Sequence, residues 1–172
     1  MHFLSHSGYG YSQILCEDVT NWFLSQFFPR HKIDVHIVHR GLKSEGVVGY
    51  CDVEGDTYRP RQFLIELQVG MSREDYIKTL LHELSHLAQW VRGSLKLKCG
   101  KMIYCQEPVE NYDYWYQPHE IEARNEEERL YAEYIGVPQV QVAQTFTQSI
   151  VTGKQMIIIF YGFLTINHFT AF

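Results

Sequence analysis

Between Ser12 and Phe28 the apolar residues Ile14, Leu15, Val19, Trp22, Phe23 and Phe27 return at helical intervals, and Pro29 stands where such a helix has to stop. The pattern then shortens. IDVHIV from Ile33, GVVGYCDV from Gly46 and QFLIELQV from Gln62 are runs rich in β-branched and aromatic residues with Gly or polar breaks between them, and they predict three strands. In the third, Phe63, Ile65 and Leu67 share one face, against Glu66 and Gln68. The period lengthens again after Ser72, a helix-capping residue followed by Glu74 and Asp75 in the first turn. Ile77, Leu80, Leu81, Leu84, Leu87 and Val91 form one apolar stripe of a helix of about five turns, with Gly93 as its stop. Thr79, His82, Glu83, His86 and Trp90 fall on another face of the same helix. From Gly93 to Gln117 no period is sustained, although LKLKCGKMIYC is a candidate hairpin. A second long helix opens at Pro118, a favoured first-turn residue, and closes at Ile135, before Gly136 and Pro138. VQVAQTFTQS is a candidate short helix beyond it.

These elements predict an α+β fold in one domain, residues 1–172, with its core at about 12–150 and an apolar tail at 154–172. A chain of 172 residues buries a real core without disulfides. Composition is that of a folded protein, 45% hydrophobic and 20% charged, with twelve tyrosines and ten phenylalanines. A formal charge of -5 with no basic run argues against nucleic acid as a partner. The start MHFLSHSGYG lacks the basic and apolar regions of a signal peptide, so a cytoplasmic location is expected. Cys16, Cys51, Cys99 and Cys105 form no CxxC pair, and reduced thiols are the expectation. The apolar run from Met156 to Leu164 is too short for a membrane span and suits a buried strand or a protein contact surface.

Chemistry enters with His82-Glu83-Leu84-Ser85-His86. Histidines four apart on a helix project from the same side, so two imidazoles can reach one ion at about 2.0–2.1 Å. Glu83 lies beside such an ion without ligating it, where its carboxylate can take a proton from water. With nine histidines and fourteen glutamates the motif arises by accident in roughly 4 of 100 random orderings, so it is only moderately specific. The bland alternative is a solvated helix face that carries two histidines.

A hydrolytic zinc site needs a third protein donor from elsewhere. The helix from Pro118 opens with three, His119, Glu120 and Glu122, and Glu120 lies 34 positions past His86 (120 − 86). Acidic residues favour a first helical turn through its dipole without any metal, which accounts for EIE but not for its pairing with HELSH. At this point the chain resembles the zincin metallopeptidases of the glutamate type, in which HExxH on one helix is completed by a glutamate opening a later one. Glu120-Ile121-Glu122-Ala123 matches the family's E-x-x-A pattern; Arg124 departs from it, since a residue that buttresses a ligand histidine is common there. HELSHLAQW, NYDYWYQ and PHEIEAR together resemble small phage-type metallopeptidases, the minigluzincins, over about residues 33–136.

The resemblance implies a minimal zincin-like domain, with a small twisted sheet on one side of the HExxH helix and the ligand-bearing helix on the other. It implies Zn2+ on His82, His86 and Glu120, with Glu122 and then His119 as alternative third ligands, and Glu83 as general base. It also implies a protein or peptide substrate lying along an edge strand, a place that QFLIELQV holds in the chain order. Tyr112, Tyr114, Tyr116 and His119 are candidates for stabilising an oxyanion. Glu126, Glu127 and Glu128 read as a solvated face. The alternative from another class is a zincin-fold binding or regulatory protein with a structural or vestigial metal, against which Glu83 speaks because a structural site needs no base.

Overall fold

The protein is represented by a computed structural model, of which residues 2–136 are described. VQVAQTFTQS and the apolar tail lie outside the described residues. The first helix, α1 (Gln13–Phe27), starts where the Ser12 hydroxyl accepts a hydrogen bond from the Leu15 amide at 3.3 Å. The long helix α2 (Arg73–Arg92) starts the same way, with Ser72 Oγ accepting from the Asp75 amide at 3.1 Å. It ends at Gly93, whose φ of 78° is a left-handed conformation that glycine adopts freely. Helix α3 (Pro118–Tyr134) begins on its proline, as its sequence predicts.

Four strands form the main sheet: β1 (Phe3–Gly8), β2 (Asp34–Arg40), β3 (Gly49–Glu54) and β4 (Gln62–Gln68), in the order β1-β2-β4-β3. β1, β2 and β4 run parallel, and β3 is antiparallel to β4. Three features differ from expectation. β1 is a strand that the pattern does not announce, because FLSHSG alternates with few apolar residues and stays largely exposed along the sheet margin. QFLIELQV is not an edge strand: β4 lies between β2 and β3, with Phe63, Ile65 and Leu67 buried, and β3 forms the margin. The segment expected to be irregular folds into a small antiparallel sheet, β5 (Leu95–Lys98), β6 (Lys101–Tyr104) and β7 (Glu107–Pro108), whose first two strands are the anticipated hairpin.

The core lies between the main sheet and the helices. Val35, Ile37, Phe63, Ile65 and Leu67 meet Val19, Phe23 and Leu24 of α1 and Leu80, Leu81, Leu84 and Leu87 of α2. Each of these large side chains contributes roughly 1.5–3 kcal/mol by leaving water. α3 packs along α2, with Ala123 and Leu130 buried. The result is a mixed α+β arrangement in which α2 is covered by the sheet on one side and by α3 on another. The four cysteines are free thiols. Among the described residues no helix is long and apolar enough to cross a membrane.

Candidate metal centre

His82 and His86 project from successive turns of α2 toward the first turn of α3, where Glu120 meets them. His82 Nε2 lies 3.4 Å from Glu120 Oε2, and His86 Nε2 lies 3.3 Å from Glu120 Oε1. One donor atom from each residue falls within 4.8 Å of the other two. Two donors about 2.05 Å from a common ion at the tetrahedral angle stand about 3.3 Å apart, close to each of the two histidine–Glu120 distances, which run to different oxygens of the carboxylate. Glu120 Oε2 is buried and has no hydrogen-bond partner. The positive groups nearest to it are His82 Nε2 at 3.4 Å and Arg124 Nη1 at 3.7 Å, and a buried carboxylate oxygen without a hydrogen bond would gain further from a bound cation. The three residues therefore fit a divalent ion.

The outward nitrogens of both rings are held. His82 Nδ1 hydrogen-bonds Glu127 Oε2 at 3.1 Å, and His86 Nδ1 donates to Gln89 Oε1 at 2.9 Å. With the proton on Nδ1, each Nε2 presents its lone pair inward, the tautomer that a metal requires. Gln89 in turn donates through Nε2 to the His119 carbonyl at 2.9 Å and to Glu122 Oε2 at 2.8 Å, while the Tyr104 hydroxyl donates to the same oxygen at 2.6 Å. Glu122 is thus engaged on Gln89 and Tyr104, away from the convergence point. His119 packs beside the site, with its Nε2 at 3.6 Å from Glu120 Oε1, and is not one of the three converging donors.

Glu127 is not part of a solvated face. It sits seven residues after Glu120, two helical turns along, so Glu120, Ala123 and Glu127 share the side of α3 that faces α2. The buried Ala123 lets the helices approach. That spacing is the signal in the sequence that a purely compositional view of Glu126, Glu127 and Glu128 overlooks. Glu126 pairs with Arg129 at 2.6 Å and Glu128 with Lys78 at 3.0 Å, both outside the site. Arg124 reaches Glu120 Oε2 at 3.7 Å through Nη1 and is also engaged with the preceding turn. Its Nη2 donates to the Trp115 carbonyl at 2.6 Å and its guanidinium lies over the indole at 5.3 Å, tying the Tyr114–Tyr116 turn to α3.

Burial and charge act together on these groups. Burial disfavours a charged His82, but the carboxylates of Glu120 and Glu127 outweigh it and raise the imidazole above its ordinary value. Burial likewise disfavours the Glu120 carboxylate, and His82 and His86 outweigh it, holding the group well below the usual range. Glu83 is 5% exposed, and burial pushes its carboxyl up to about 7 against the pull of His86 and His82. Burial, with His86 beside it, lowers His119 to about 4, so its ring is neutral near pH 7.

A cleft of about 730 Å³ opens over His82, Glu83, His86 and Glu120. One wall is the outer margin of β3, from Gly49 to Val53; another carries Trp90, Leu95 and Met102. Tyr114 and His119 line it, whereas Tyr112 and Tyr116 do not. Burial first, and then the Glu120 and Glu83 carboxylates, raise the pKa of the Tyr114 hydroxyl. No family model, no curated protein and no solved structure matches this chain.

Proposed function

We propose that this protein is a zinc-dependent peptidase with a minimal zincin-like scaffold of the glutamate type. The observation that carries the reading is the convergence of a donor atom from each of His82, His86 and Glu120 to within 4.8 Å of the other two, with Glu83 buried next to them. Zinc held by these donors supplies Lewis acidity to a water molecule and to a substrate carbonyl.

The chain's own residues do the rest. Glu83 takes the proton from the attacking water and delivers it to the leaving nitrogen. Its raised affinity for protons suits a group that must both accept and return one near neutral pH. Glu127 and Gln89 hold the two imidazoles in the required tautomer and orientation. Tyr114 and the neutral His119 border the cleft where the carbonyl oxygen gains charge, and both can donate a hydrogen bond to it. β3 has one strand neighbour, so the backbone groups along its other margin are open to an extended peptide, which pairs with them through main-chain hydrogen bonds. Trp90, Leu95 and Met102 give the cleft apolar ground for substrate side chains.

Two measurements test the proposal. Atomic absorption on gently purified protein is expected to give one zinc per chain. Glu83→Gln is expected to keep that zinc and to lower peptide hydrolysis by about 100- to 10,000-fold. Hydrolysis undiminished in the zinc-loaded variant, or wild-type protein that takes up no zinc, refutes it.

A further inference from the structure

Gly49 opens the marginal strand β3, opposite Leu67 of β4, in ordinary extended backbone that any residue can adopt. Its lack of a side chain therefore has no conformational cause. A glycine inside a strand forfeits packing and backbone entropy, and where φ does not demand it something else approaches closely. Here the approaching group is the Glu83 side chain. A Cβ built on Gly49 would stand 2.4 Å from Glu83 Oε1 and 2.9 Å from both Cδ and Cγ. All three distances are inside van der Waals contact.

We propose that Gly49 is a positioning residue for Glu83: the space where its side chain would be is occupied by the Glu83 carboxylate, and the bare strand backbone is the wall that fixes where that carboxylate stands. The atoms in the way belong to the end of a flexible side chain rather than to backbone. An alanine at this position displaces the carboxylate before it displaces the strand. The sheet survives the substitution, and the proton-carrying group moves. A shift of about 1 Å in a reacting group costs on the order of 100-fold in rate. The catalytic consequence rests on the peptidase reading; the steric claim does not, and it holds in metal-free protein.

The experiment combines kinetics with a double-mutant cycle. Zinc-loaded Gly49→Ala is expected to lose about 100-fold in kcat with zinc stoichiometry unchanged and with a much smaller change in KM, since the strand backbone that faces substrate stays in place, a split that general loosening of the fold would not produce. Urea midpoints are then measured on metal-free wild type, Gly49→Ala, Glu83→Ala and the double variant. Gly49→Ala should lower the midpoint more when Glu83 is present than in the Glu83→Ala background, where the space is vacant. An unfolded single variant with a folded double variant supports the steric contact between Gly49 and Glu83 and overturns the claim that the carboxylate yields before the strand. Equal midpoint changes in both backgrounds, failure of the double variant to fold, or an unchanged kcat overturns the proposal. If wild-type protein shows no zinc-dependent hydrolysis, the peptidase reading fails, and the midpoint cycle still decides whether Gly49 positions Glu83.

Discussion

Three glutamates in a row, Glu126, Glu127 and Glu128, have one member that faces the candidate metal centre, and replacing each in turn isolates what that member does. Glu127→Ala removes the acceptor 3.1 Å from His82 Nδ1, which frees the ring to rotate and makes its inward nitrogen less basic. Loss of such an outer partner weakens metal binding by about 10- to 100-fold, or about 1.4–2.8 kcal/mol at about 1.4 kcal/mol per tenfold. The Glu127 side chain is 23% exposed, so water can take over part of the bond. That places the expected loss in the lower half of the range, roughly 10- to 30-fold. Glu126 and Glu128 engage Arg129 and Lys78 at the surface, and Glu126→Ala and Glu128→Ala should leave zinc affinity within about two-fold of wild type. The assay is competition for zinc against a chromophoric chelator of known affinity at one fixed pH. If Glu127→Ala binds zinc as tightly as wild type, or if its two neighbours matter as much, His82 is not held in the way described.

Two further outcomes follow from the same geometry. Glu120→Ala deletes a converging donor and should abolish stoichiometric zinc, whereas Glu122→Ala leaves all three donors in place and, by releasing Gln89, should cost only about tenfold; zinc titrations ranking the two in the opposite order would move the third ligand. His39 is buried between Tyr11, stacked on it at 3.4 Å, and Tyr76, whose hydroxyl lies 3.0 Å from Nε2, while Nδ1 donates to the Ser7 carbonyl. Burial first, and nearby His6 as well, lower its pKa in the folded state despite the Ser7 carbonyl. Because the unfolded chain then takes up the proton first, stability is fully present above pH of about 6.5 and declines as pH falls toward the lower folded value, by at most about 1.4 kcal/mol per pH unit. Urea midpoints at pH 7 and pH 5 should therefore differ less for His39→Gln than for wild type, and an unchanged difference would show that His39 does not carry this pH dependence.

Helical periodicity around α2 was legible without coordinates, since Ile77, Leu80, Leu81, Leu84 and Leu87 have to face one way and the Ser72 and Gly93 caps bound the element. Residues four apart on that helix share a side whatever surrounds it, so His82 and His86 were recognisable as a pair, with Glu83 beside them. The α+β class, the strands at β2, β3 and β4, and the start of α3 at Pro118 were equally local properties. β1 was not, because a marginal strand with Ser and His at alternate positions is held by pairing with β2, a contact 31 residues away in the register Phe3 to Asp34.

The identity of the open margin was also beyond local pattern. β3 and β4 both alternate, and only the strand order puts β4 inside and β3 against the cleft. Glu120 and Glu122 differ by two residues and point to different sides of α3, so the choice between them depends on the angle at which α3 crosses α2. The same crossing brings Glu127 to His82 and leaves Glu126 and Glu128 outside. By itself the sequence determined which side chains share a helix face, because backbone geometry repeats every few residues. Which faces meet was decided by the tertiary structure alone, because the packing of Ala123 against α2 and of β4 between its neighbours depends on shapes brought together from distant parts of the chain.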